Sequence, residues 1–131
     1  MSNDGVNEET RRVASIEWFH GFAQLGRDEM ARQWTPEIEG RLREHVALCL
    51  TGIEMPGIRT PEQFAEVVID LRANESDWDR ATMAAIIRAD DLALAGQTEE
   101  AVHVLHAFAA SCPWKLFAAV ARDQAARLLG E

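Results

Sequence analysis

The chain has 131 residues, 47% of them apolar, with only 8 Gly and 4 Pro, which fits one folded domain able to bury a core without metal or disulfide staples. Its formal charge is −9, from 13 basic and 22 acidic residues; such a surface repels phosphate backbones and anionic lipid, so neither nucleic acid nor a membrane is an expected partner. No apolar run approaches the roughly 18 residues of a transmembrane span, and Cys49 and Cys112 lie far apart with no Cys-x-x-Cys, so a cytoplasmic protein with reduced thiols is expected.

The opening stretch "MSNDGVNEET" is polar and acidic, unlike a signal or transit peptide, and residues 1–8 read as a frayed tail before a single helical domain over 9–131. A first helix is expected over about residues 8–25, with Val13, Ile16, Phe19 and Ala23 inward, and a short second one over 27–34. "TPEIE" opens a third helix, capped by Thr35, that runs through Ile38, Leu42, Val46 and Cys49 to Gly52. "GIEMPGIRT" then carries a Pro-Gly turn. In "TPEQF", Thr60 is placed to cap, Pro61 to take the first helical position and Gln63 to complete a capping box. Phe64, Val67, Val68 and Leu71 follow on one stripe, and Glu62, Glu66 and Asp70 on another. Asn74 reads as the end of that helix and Ser76 as the start of the next, which runs from 77 to 95 and stops at Gly96. A helix over 98–111 capped by Thr98, and a last one between Pro113 and Gly130, complete the chain. The expected fold is all-α, with six to seven antiparallel helices.

Two Glu-x-x-His spacings, Glu17/His20 and Glu100/His103, invite comparison with carboxylate–histidine metal sites. A di-iron bundle needs both motifs and further glutamates pointing into one core. On the 98–111 helix, however, Ala101, Leu105, Phe108 and Cys112 form the apolar line, while His103 and His106 point away from it. No metal and no cofactor are expected. Cys49 has His45 four residues before it, near enough to meet on a helix, but a thiolate nucleophile also needs a cleft and an orienting third group. There is no Gly-rich phosphate loop, Gly-x-Ser-x-Gly elbow or His-Glu-x-x-His.

"LGRDEMA" and "AGQTEEA" share an apolar-Gly-x-x-Glu-x-Ala pattern 70 residues apart, with the "TPEQFA" helix opening at the midpoint. Residues 82–115 resemble a tetratricopeptide-type repeat through Gly96, Ala101, Leu105 and Pro113, although the family's first-helix pattern is replaced by Ala85, Arg88, Ala89 and Leu92. The resemblance implies an α-hairpin solenoid, the alternative being a compact helical bundle. It also implies a concave partner-binding groove lined by Met83, Ile86, Asp90, Ala93 and Leu94 on one helix. Phe117, Val120, Gln124, Arg127 and Leu128 would continue it on the last helix, with Trp78 and Trp114 as edge anchors. Asp90 falls inside the apolar arc of its helix and requires a partner or water, for which Arg127 is the candidate.

These features point to a non-enzymatic protein–protein interaction module. Glu62, Glu66 and Asp70 form an acidic ridge suited to a basic partner surface. Small size and acidity resemble stand-alone inhibitors, including immunity proteins that neutralise basic toxins. The competing readings are an accessory or regulatory subunit acting as a homo-oligomer, and a metal-binding helical enzyme using the Glu-x-x-His pairs.

Overall fold

A computed structural model describes residues 4–130, with side chains from Asn7 onward. Six helices account for 79% of the described residues, and no strand element is present among them: α1 (Asp4–Phe22), α2 (Arg27–Arg32), α3 (Pro36–Cys49), α4 (Pro61–Leu94), α5 (Thr98–Ser111) and α6 (Lys115–Leu128). The protein is all-α. It divides into two compact units, Met1–Asn74 and Glu75–Glu131, and α4 contributes residues to both.

The helix starts follow their sequence signals closely. The Thr35 hydroxyl accepts from the Ile38 amide at 3.1 Å, with Pro36 as the first helical residue. At the start of α4 the Thr60 hydroxyl accepts from the Gln63 amide at 3.1 Å, and the Gln63 side chain reaches back to accept from the Arg59 amide at 2.7 Å. That is a reciprocal cap displaced by one residue from the usual box. Thr98, by contrast, is the first residue of α5 and not its cap; Gln97 occupies the cap position without a side-chain bond. The preceding turn fixes this register. Gly96 adopts φ +81°, its amide bonds to the Ala93 carbonyl at 3.0 Å, and the Gln97 amide bonds to the Leu92 carbonyl at 2.8 Å, a Schellman ending that leaves α5 to begin at once.

One boundary expected from sequence is absent. Asn74 does not end a helix and Ser76 does not begin one, because α4 runs unbroken for 34 residues. Beyond Pro61 it contains neither Gly nor Pro, and a single Asn within a helix costs well under about 1 kcal/mol, too little to force a break. The segment between residues 60 and 94 is therefore one long helix, where a hairpin per 35 residues requires a turn. At the front of the chain, α1 begins at Asp4, within the stretch expected to be frayed; residues 1–3 lie outside the described residues.

The first unit is organised around Phe19, Phe22, Met30, Leu42, Phe64, Ala65 and Val68. Phe22 meets the Phe64 ring edge-on at 5.8 Å and stacks on Trp18 at 5.3 Å, while the Arg41 guanidinium lies 4.6 Å over the Trp18 ring. Val13, expected to face inward, is exposed, and Trp18 and Phe22 carry the packing instead. On α3, Leu42, Val46 and Cys49 are buried as expected, joined by His45 and Leu48.

In the second unit, α5 and α6 are joined through Cys112–Trp114 and pack together through small residues. Ala101, Leu105 and Ala109 are buried on α5, and Ala118, Ala121 and Ala125 on α6. Alanines spaced at three and four permit close approach of the two backbones. Trp114 is buried at the base of this pair and is core, not a groove edge; Trp78 packs edge-on against Phe108 at 5.8 Å.

Two substitutions test these assignments. Phe64→Ala is expected to cost about 3–5 kcal/mol, because a fully buried ring leaves a cavity. Gly96→Ala is expected to cost about 1 kcal/mol from left-handed backbone strain alone, since an added β-carbon there meets no atom within 4 Å. Urea unfolding of each variant against the parent protein measures both.

Candidate functional site

The second half of α4 has two apolar faces of opposite character. Thr82 and Ala89 are buried, with Trp78, Ala85 and Leu92 half-buried beside them on the same face. The spacing 78, 82, 85, 89, 92 is that of a helix seam. Thr82 tolerates burial because its hydroxyl donates to the Trp78 carbonyl at 2.7 Å. The residues facing the other way are larger. Met83, Ile87 and Leu94 are 53%, 57% and 87% exposed, and Asp90 is exposed among them.

The residues expected to line a groove differ in their exposure. Met83, Asp90 and Leu94 do share an exposed face. Ile86 is half-buried, and its place on the face is taken by Ile87. On α6, Phe117 is half-buried with its ring 6.3 Å from Trp114, Gln124 is half-buried and Arg127 is exposed. Asp90 and Arg127 are both exposed, and no ion pair between them is present among the described residues. The inward face of the helix is marked by small residues, Ala85 and Ala89, that fit a close helix contact.

A second feature lies wholly within the first unit. A groove of about 330 Å³ is floored by Val46 and Leu50, by Ile53 and Met55 of the α3–α4 loop, and by Val67 and Leu71 of α4. Glu54 and Asp70 are the acids in its wall. Asp70 thereby joins the acidic ridge to an apolar surface. The ridge itself is weaker than its sequence suggests: Glu62, Glu66 and Asp70 are all exposed, but Glu66 is paired with Arg27 of α2. The Asp77 carboxylate is likewise engaged by Arg80 at 2.5 Å.

The groups with catalytic potential converge in a place unsuited to catalysis. His45 Nδ1 lies 2.8 Å from Ser15 Oγ and 3.7 Å from Cys49 Sγ, and the imidazole stacks on Phe19 at 4.4 Å. His45 is fully buried and Cys49 nearly so, which keeps substrate away from both. Nε2 has no hydrogen-bond partner among the described residues. Burial lowers the His45 pKa to about 4, with the neighbouring His20 adding to the effect, so the ring is neutral at physiological pH. Burial also raises the Cys112 pKa, the opposite of an activated thiol. Sequence reasoning found the His45–Cys49 pair but not Ser15, which only the packing of α1 on α3 brings to the ring.

His103 and His106 are exposed, on the side of α5 away from Ala101, Leu105 and Ala109. Among the described residues, no three His, Cys, Asp or Glu side chains gather where they would hold a metal ion. The Glu39 carboxyl is held below the usual range, first by the Trp34 indole donating at 2.8 Å and then by Arg43, which marks it as a structural strut beside the α3 cap.

His45 makes stability depend on pH in a definite direction. Its folded pKa of about 4 lies below the unfolded value of 6.5, so between these values the unfolded chain binds the extra proton. Stability is complete above pH 6.5 and falls as pH drops toward 4, by at most about 3 kcal/mol. Urea unfolding between pH 4 and 7 is expected to show a steeper acid loss in the parent than in His45→Leu, where that titration is removed; parallel profiles would contradict the assignment. Comparison of the chain with protein-family models, curated proteins and solved structures finds no match.

Proposed function

We propose that this chain is a non-catalytic protein-interaction module whose partner docks on the outer face of α4 in the second unit. The observation that carries this reading is the exposure of Met83, Ile87 and Leu94 on one helix face. Three large aliphatic side chains in a row forgo the burial that would stabilise each by roughly 1.5–3 kcal/mol, an apolar surface suited to a partner. Support for a basic partner comes from the net charge of −9 and from Glu62 and Asp70, which stand exposed in the first unit. The burial of His45 and Cys49 argues against the thiol as a nucleophile. A small acidic inhibitor of the immunity type, acting in the cytoplasm on a basic protein, is the narrower form of this reading.

Affinity capture from the native host tests it. Met83→Glu combined with Ile87→Glu is expected to weaken capture by at least about 30-fold, since apolar anchors at an interface centre contribute about 2 kcal/mol or more together. Capture that is unchanged by this pair places the interface elsewhere. Separately, Glu62→Lys with Asp70→Lys is expected to lower the association rate and flatten its dependence on salt while leaving dissociation nearly unaltered. A change confined to dissociation would mean that these carboxylates sit inside the contact and do not steer it.

A further inference from the structure

The outer face of α4 has a finer pattern than apolarity. Met83, Ile87, Asp90 and Leu94 are spaced four, three and four residues apart, and at 100° per residue all four fall within an arc of about 60°. This is the alternation of a two-helix seam, about 17 Å long, in which one of four knob positions is a carboxylate. The inner seam through Trp78, Thr82, Ala85, Ala89 and Leu92 is already used within the protein, so the outer one is a second, unpartnered seam on the same helix. Its far end is fixed by the turn at Gly96, two residues beyond Leu94, the last residue of α4.

We propose, resting on the interaction-module reading, that this seam pairs with an amphipathic helix of another protein that carries one Arg or Lys opposite Asp90. The charge decides against a second copy of this chain. In a parallel, in-register pair, two Asp90 carboxylates meet across the seam; in an antiparallel pair, each is buried against Ile87. Both arrangements desolvate a carboxylate without a cation. The flanks have the same sign: Asp79 and Asp91 lie to either side of the line, and the nearby Arg80 is engaged by Asp77. Arg88 is on the far side of the helix, about 140° from Met83. A net charge of −9 adds repulsion between copies and attraction for a basic helix. A single buried polar position in an apolar seam also sets which residues face each other, so Asp90 acts as the register key.

The test uses the full chain and two synthetic amphipathic peptides of about 21 residues, three heptads with Leu at the seam positions. They are identical except for Arg or Glu at one central seam position. Fluorescence anisotropy is expected to show the Arg peptide binding at least about tenfold tighter than the Glu peptide, with Asp90→Lys reversing the preference. Sedimentation is expected to find the parent chain monomeric and Asp90→Leu dimeric, because that substitution completes the seam. Equal binding of the two peptides overturns the role of Asp90. A parent dimer abolished by Met83→Glu makes a second copy the occupant and overturns the proposal. If neither peptide binds, there is no helix-pairing seam; should host-cell capture still depend on Met83 and Ile87, the interaction-module reading stands without it, and should capture be insensitive to them, both fall.

Discussion

The second half of α4 is governed by an inversion of size. Its buried face is built from Thr82, Ala85 and Ala89, with Trp78 and Leu92 at the ends, while Met83, Ile87 and Leu94 are left in water. Burial energy alone would favour the opposite choice, since a buried aliphatic side chain contributes far more than a methyl group. What the small residues supply is proximity: a helix presenting alanines at three- and four-residue spacing admits a close neighbour, and the α5–α6 pair, with its own lines of alanine, is made in the same way. The large side chains are thereby excluded from the core and become the chief apolar surface of the second unit.

The first unit follows a different rule. Its core is aromatic and dense, with Phe19, Phe22 and Phe64 at the centre and Trp18 covering them. Within it His45 serves as a flat, neutral packing element between Phe19, Ser15 and Cys49. An imidazole with one buried nitrogen unsatisfied is a costly core residue, and its cost rises in acid because the charged form is excluded from the site. Chemistry-bearing groups gathered at one point are thus not evidence of chemistry when the point has no access to substrate.

Charge and apolar surface together shape the functional reading. The acidic groups are not one continuous ridge, because Arg27 and Arg80 each engage a carboxylate. Exposed acids stand beside apolar surface at the first unit's groove, Glu54 and Asp70, and within the α4 stripe, Asp90. In both places a carboxylate stands beside aliphatic side chains, a combination that selects for a partner that is apolar and basic at once.

The sequence by itself determined the all-α class, five of the six helix starts to within a few residues, and the stops at Gly96 and Gly130, because caps, prolines and positive-φ glycines act through local backbone bonds. It also placed Phe64, Val68, Leu42, Ala101 and Leu105 in the core, where periodicity and size agree. At Asn74 the local signals were in competition, and a weak capping preference yielded to a helix with no Gly or Pro to interrupt it. Tertiary structure decided two things that no local signal carries. Ser15 meets His45 because α1 packs on α3. On α4, it is the alanine face that turns inward and the Met83–Leu94 face that turns outward. Periodicity reports how many apolar faces a helix has, and only the neighbours that pack against it settle which one is buried.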